Sequence, residues 1–230
     1  MTSFHLMILA AGYGKRMQNL THSIPKPLLK INNKELLRHN IDFFLNLGCD
    51  KIVINTHYLH GQIQHCIEDH YSDRNIILSY EATLLNTGGG IKNALSLLGN
   101  KNFIVTNSDI LWKEENNQDI LNFIKNYQDI ETCKLLLAAD NNFAGLKKLG
   151  GDFVYKDNLV ARWKLNDPNL YYTGLQIINP IVFNLIKEES FSLNKLWDLL
   201  IATDNLQGEI CTSKIAHIGD IKAFNQFKDN

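Results

Sequence analysis

Between Phe4 and Asp140 the chain switches five times between an extended apolar pattern and a helical one, and this alternation limits its fold more than any other feature. FHLMILA, from Phe4 to Ala10, is a near-continuous apolar run that ends at glycine. Such a run suits a strand buried on both faces, where neither face has to be polar. KELLRHNIDFFLNLGC follows, with Leu36, Leu37, Ile41, Phe44 and Leu45 at helical spacing and Gly48 as a C-terminal stop. DKIVINT (50–56), RNIILSY (74–80), KNFIVTNSD (101–109) and TCKLLLAAD (132–140) continue the strands. HGQIQHCIEDHY (60–71), GGGIKNALSLLG (88–99) and NQDILNFIKNY (117–127) continue the helices. The alternation predicts an α/β fold, a Rossmann-like and mostly parallel mixed sheet flanked by helices. Ligands of such sheets sit beyond the carboxyl ends of the strands. Gly12, Asn55, Glu81 and Asp109 all fall at or just after such ends, so the four are expected to meet at one crevice.

After Asn141 the rhythm changes. KKLGGDFVYKDNLVARWKL (147–165) and NLYYTGLQIINP (169–180) read as antiparallel strands, and PIVFNLIKEE (180–189) and SLNKLWDLLIATD (192–204) as helices. GEICTSKIAHIGD (208–220) resumes strand character, and IKAFNQFKD (221–229) reads as a last helix. No repeat or low-complexity linker interrupts the chain, so residues 1–230 are expected to form one domain. Net charge is −1, which leaves no global field to attract nucleic acid or an anionic membrane; any bound anion needs a local site. Cys49, Cys66, Cys133 and Cys211 contain no CxxC pair, which argues against zinc and a disulfide framework and for free thiols in a reducing compartment. The first residues lack a basic n-region, and no run approaches the ~18 apolar residues of a membrane span. The expectation is a cytoplasmic protein without nucleic-acid or membrane partners.

The candidate local site is the first loop, LAAGYGKRMQNLTHSIPKPLL (9–29). Gly12 and Gly14 permit a sharp turn that exposes N–H groups after the strand. Lys15 and Arg16 follow, and Lys26 lies between Pro25 and Pro27, whose fixed φ stiffens the segment and aims one lysine. The spacing is neither GxGxxG, since position 17 is Met17, nor a P-loop. By themselves these residues fit a phosphate cradle or a plain glycine turn with solvated charges. Asp109 alone fits a turn cap, and Gly88, Gly89 and Gly90 alone fit a helix-initiating turn.

As a whole the stretch resembles the nucleotidyltransferase family that makes nucleotide sugars from a nucleoside triphosphate and a sugar 1-phosphate. The family pattern is LAAGxGxRMxPLTxxxPKPL, and Asn19 stands here where proline is usual. The resemblance continues through TGGGI (87–91), NSD (107–109), GDF (151–153), YTGLQII (172–178) and HIGD (217–220), nearly the whole chain. It implies a GT-A-like nucleotidyltransferase fold with a small antiparallel sugar-binding insertion. Residues 1–140 would form the nucleotide-binding half, and 141–230 the sugar-binding half and C-terminal helices. The compact length and the TGGGI segment resemble the uridylyltransferases of cell-wall recycling that act on N-acetylmuramic acid 1-phosphate, although Asn86 replaces their usual Glu. Guanylyltransferases of mannose 1-phosphate share the same core. The resemblance favours UTP and an N-acetyl-amino-sugar phosphate, in a monomer or homodimer.

The roles that the resemblance implies follow from the reaction. A sugar-phosphate oxygen attacks the α-phosphorus and pyrophosphate leaves; the nucleophile is already an anion, so positioning and electrostatics dominate. Ala10, Ala11, Gly12, Gly14 and Lys15 would hold the triphosphate, with Arg16 on its β- and γ-phosphates. Lys26 would bridge the two reacting phosphates. Glu81, Thr87, Gly88 and Gly89 would take the nucleoside; Asn55, Asn141, Asp152 and Gly174 would take the sugar. Asp109 would bind Mg²⁺. Relatives carry a second metal-binding Asp near the C-terminus, where this chain has His217. Asp220 would replace it, or His217 would accept Mn²⁺, or the chain would bind its ligands with little turnover. A phosphocholine cytidylyltransferase, with Trp163, Tyr171 and Tyr172 around the quaternary ammonium, is the alternative substrate class.

Overall fold

The computed structural model describes residues 3–128, 132–145 and 150–228. Its order begins β1 (Phe4–Leu9), β2 (Lys30–Ile31), β3 (Lys34–Glu35), α1 (Leu36–Asn46), β4 (Cys49–Thr56), α2 (His60–Tyr71), β5 (Ile76–Tyr80), α3 (Asn86–Leu98) and β6 (Phe103–Asn107). It continues with β7 (Ile110–Leu111), α4 (Asn117–Lys125), β8 (Cys133–Ala139), β9 (Phe143–Gly145), β10 (Phe153–Lys156), β11 (Leu159–Arg162) and β12 (Leu170–Ile178). The last elements are α5 (Leu193–Ile201), β13 (Leu206–Cys211), β14 (Ile215–His217) and α6 (Ile221–Phe227).

The main sheet has nine strands in the order β10-β11-β13-β8-β12-β6-β1-β4-β5. β5, β4, β1 and β6 are parallel neighbours. β1 shows why its sequence is almost wholly apolar: Leu6 and Ile8 enter the core on one face, Met7 the core on the other, and all three are fully buried. The neighbouring Ile52 and Ile54 divide from Val53 in the same way. The chain leaves β1 for β4 on one side and later returns to pair β6 on the other, so the carboxyl ends of β1 and β6 frame a switch point where ligands of such sheets sit.

Strand β12 lies antiparallel between β6 and β8, and β8 pairs parallel with β13. The antiparallel strands after Asn141 therefore extend the main sheet. β12 carries polar side chains into that interior with partners: Thr173 donates to the Leu136 carbonyl at 2.8 Å, and Gln176 accepts from Trp197 Nε1 at 3.0 Å. A separate small sheet, β7-β14-β9, brings the C-terminal β14 beside the turn that follows β6.

Three predicted elements take a different form. The helix expected over 180–189 is a short 3-10 turn, Pro180–Leu185, and Ile186 is extended. Lys92 Nζ donates to the Ile186 carbonyl at 2.6 Å, and the Phe191 N–H donates to Leu85 at 3.1 Å; both bonds draw the backbone out of helical geometry and onto α3. The strand expected over 208–220 is two strands, β13 and β14, in different sheets. The helix expected from Lys34 begins at Leu36, because Lys34–Glu35 pairs in the β2–β3 hairpin. Residues 147–149 of the strand expected over 147–165, and residue 229 of the last helix, lie outside the described residues.

Candidate active site

A cleft of about 370 Å³ opens at the carboxyl ends of β1 and β6. Of the residues singled out in the sequence, Ala10, Ala11, Gly12, Gly14, Lys15, Arg16, Lys26, Asn55, Thr87 and Asp109 line it. The Ala10 N–H donates to Asn55 Oδ1 at 2.8 Å, so the loop's donors with no protein acceptor among the described residues start at Ala11. Gly14 has φ +65°, and a Cβ on it would stand 2.9 Å from Lys26 Cβ. That glycine is needed both for the turn and for the approach of the Lys26 stem. A Cβ on Gly12 would meet nothing within 4 Å among the described residues, so no packing there requires glycine. Lys15 and Arg16 are exposed at the cleft, with no ion-pair partner among the described residues.

Lys26 is buried, and its Nζ donates to Asp109 Oδ2 at 2.5 Å. His217 Nε2 lies 3.3 Å from the same oxygen. Burial alone would raise the Asp109 pKa, but the charge of Lys26 and then of His217 hold it well below the usual carboxylate range. The other oxygen, Oδ1, is buried with no hydrogen-bond partner among the described residues. One anionic oxygen free of protein donors, on a residue that lines the cleft, suits a hard divalent cation that takes few carboxylates and completes its shell with phosphate oxygens. Among the described residues no group of three or more His, Cys, Asp and Glu side chains stands ready to hold a metal unaided. Asp220 is placed otherwise: its Oδ1 accepts from the Ala223 N–H at 2.8 Å, capping α6.

The turn carrying Asp109 is fixed by a residue that the sequence did not point out. Asn40, fully buried on α1, donates through Nδ2 to the Ile110 carbonyl at 2.9 Å. From the C-terminal side the Ile218 N–H donates to the Asp109 carbonyl at 2.8 Å. Leu9, Pro27, Leu84, Asn86, Asn107, Ser108 and Gly219 complete the lining. Asn86 sits at φ +61°, a left-handed conformation that Asn tolerates.

The other expected residues stand apart from the lining. Glu81 is only 2% exposed and lies behind Asn55, which donates to its Oε1 at 2.7 Å. The N–H groups of Gly88 and Gly89 donate to the Phe191 carbonyl at 2.9 and 3.0 Å. A Cβ on Gly88 would lie 2.3 Å from the Phe191 ring, and one on Gly89 2.2 Å from the Glu189 carbonyl, so these two glycines let the 189–191 segment pack on α3. Gly174, at φ +85°, backs onto Ile110 and Asn107 in the irregular part of β12. Asp152 accepts from the Tyr172 N–H at 3.1 Å. Asn141 is exposed in a 3-10 turn beyond β8. Among the described residues no helix is long and apolar enough to cross a membrane.

A profile of the Nucleotidyl transferase family matches residues 5–146. The chain is 30% identical over 224 residues to an N-acetylmuramate alpha-1-phosphate uridylyltransferase of Caulobacter vibrioides, covering 94% of this chain and 92% of that protein. Over 107 residues it is 36% identical to a D-glycero-alpha-D-manno-heptose 1-phosphate guanylyltransferase of Aneurinibacillus thermoaerophilus, 46% of each chain. The solved structure of the inositol-1-phosphate CTP transferase from T. maritima superposes with a TM-score of 0.80 at 15% identity, covering 95% of this chain and 90% of that one.

Proposed function

Since the chain belongs to the Nucleotidyl transferase family and is a sugar-1-phosphate nucleotidyltransferase, we propose that it transfers a uridylyl group from UTP to the 1-phosphate of an N-acetylated amino sugar. The observation that carries the chemistry is the buried contact of Lys26 with Asp109 at the rim of the glycine loop. The near full-length similarity to a uridylyltransferase of an N-acetylated sugar acid supports the choice of base and sugar. Residues 1–140 would then hold the nucleotide and 141–230 the sugar phosphate. Four free cysteines accord with a reducing, cytoplasmic setting.

In this reading the N–H groups from Ala11 to Gly14 receive the triphosphate oxygens. Arg16, exposed and without an ion-pair partner among the described residues, offers its fork of donors to the β- and γ-phosphates. The sugar phosphate approaches past Lys26, whose ammonium sits between two anions and offsets their repulsion at the α-phosphorus. No proton has to be removed from the nucleophile, so no general base is needed. Asp109 Oδ1 would hold Mg²⁺, with His217 and Lys26 fixing the other carboxylate oxygen. The bound ion would neutralise charge on the phosphoryl oxygens and on departing pyrophosphate.

Pyrophosphate release, measured with UTP, GTP, CTP and ATP against a panel of sugar 1-phosphates and phosphocholine, tests the proposal. The expected result is turnover with UTP and an N-acetyl-amino-sugar 1-phosphate that stops when the divalent metal is chelated. Preference for GTP with a neutral hexose or heptose phosphate would overturn the substrate assignment. Nucleotide binding without turnover, in both Mg²⁺ and Mn²⁺, would mark a weak binding homologue.

A further inference from the structure

Both ends of the Ala10–Tyr13 segment are tied to one residue that does not line the cleft. The Ala10 N–H donates to Asn55 Oδ1 at 2.8 Å, and Asn55 Nδ2 donates to Glu81 Oε1 at 2.7 Å. At the other end the Tyr13 hydroxyl is 3.1 Å from His57 Nε2, and His57 Nδ1 is 2.8 Å from the Glu81 carbonyl. A carbonyl only accepts, so the proton of a neutral His57 ring is on Nδ1, and Nε2 accepts from Tyr13. The remaining carboxylate oxygen, Oε2, accepts from the Leu85 N–H at 2.9 Å, beside Leu84, Asn86 and Thr87 of the opposite wall. The Glu81 backbone is itself fastened, its N–H donating to the Thr56 carbonyl at 2.8 Å. α3 makes room for this hub: a Cβ on Gly90 would lie 2.5 Å from Glu81 Oε1 and 2.7 Å from Asn55 Nδ2.

We infer that Glu81 is a positioning residue that sets the separation of the glycine loop from the Leu84–Thr87 wall without touching the nucleotide. Every bond in the chain has one donor and one acceptor, and Glu81 supplies three acceptors within it. With Glu81 only 2% exposed, no water replaces a lost partner cheaply. The inference rests on the cleft being the triphosphate site.

The test exchanges the two side-chain types. Glu81→Gln turns one acceptor into a donor facing a donor, and Asn55→Asp sets two carboxylates face to face. Together, the carboxylate at position 55 accepts from Ala10 and from the new amide at 81, whose oxygen still accepts from Leu85, so every bond is restored. Calorimetric titration with UTP or GTP, whichever the wild-type protein binds, gives Kd; pyrophosphate release gives kcat and KM. Each single variant should weaken nucleotide binding about tenfold, or about 1.4 kcal/mol, and Glu81→Gln, which lies outside the cleft lining, should do so with kcat within threefold. The double variant should return to within threefold of wild type. Tyr13→Phe, which removes only the outer bond of an exposed side chain, should weaken binding about threefold with the Tm unchanged. A double variant as weak as Glu81→Gln would mean the carboxylate contacts the nucleotide itself, and single variants or Tyr13→Phe binding like wild type would equally overturn the inference. A wild-type protein that binds neither nucleotide would instead overturn the reading of the cleft.

Discussion

Replacing Lys26 with methionine keeps the length of the side chain and removes its charge, so its effects on fold and on chemistry can be worked out separately. Unit charges at the observed 2.5 Å attract by about 7 kcal/mol at an effective dielectric of about 20. Desolvation of side chains only 11% and 16% exposed offsets much of that. Removing one partner of a buried pair costs about 3–5 kcal/mol, because the other charge is left without compensation. His217 still contacts Asp109, so the lower end applies, about 3 kcal/mol, and a Tm decrease of about 6–12 °C for a chain of this size. Adding Asp109→Asn removes the stranded charge, and the double variant should be more stable than the two single effects sum to. For the reaction, a donor at the phosphoryl centre is worth about 2.7–4 kcal/mol, so kcat/KM should decrease about 10²–10³-fold under conditions where the variant is folded. Thermal unfolding and pyrophosphate release measure the two effects independently. A folded Lys26→Met protein that keeps kcat/KM within tenfold of wild type would refute the argument, since the ammonium would then serve the fold alone.

Two glycines of the first loop should behave differently. Gly14→Ala meets both a φ of +65° and the Lys26 stem, and should lower stability by about 1–3 kcal/mol in chemical denaturation. Gly12→Ala meets nothing within 4 Å among the described residues and should unfold like wild type while raising the nucleoside triphosphate KM. Asp220→Ala should cost about 1 kcal/mol as a lost helix cap, whereas Asp220→Ser should keep both stability and metal-dependent turnover; loss of turnover in the serine variant would make Asp220 a ligand. His39, half-buried with Nε2 donating to the Ile31 carbonyl, has its pKa lowered chiefly by desolvation. A depressed folded-state pKa means the unfolded chain binds the proton more readily. His39 therefore contributes stability fully above its unfolded pKa of about 6.5, and loses it as pH falls towards the folded value. His39→Gln, which retains a donor but cannot titrate, should show a smaller decrease in Tm between pH 7.5 and 5.5 than wild type.

The strand–helix alternation, the two-sided burial of β1 and the cluster of cations around the glycine turn were all readable along the chain. Each depends on local periodicity or on steric rules that act within a few residues: Met7 alternates with Leu6 and Ile8 between two cores, and Pro25 and Pro27 limit the backbone around Lys26 whatever lies beyond. What no local pattern carries is which donor meets which acceptor. Gly88 and Gly89 read equally as nucleoside contacts, but their N–H groups are used by Phe191, about a hundred residues away. Glu81 had the residue type of a ligand contact, yet its oxygens are occupied by Asn55 and Leu85. His217 and Asp220 were interchangeable candidates until β14 paired with β7, placing the first beside Asp109 while the second capped α6. Hydrogen bonds and ion pairs act over about 3 Å, and only the crossing of strands distant in sequence decides which polar atoms come that close and which, like the buried Asp109 Oδ1, have no partner among the described residues.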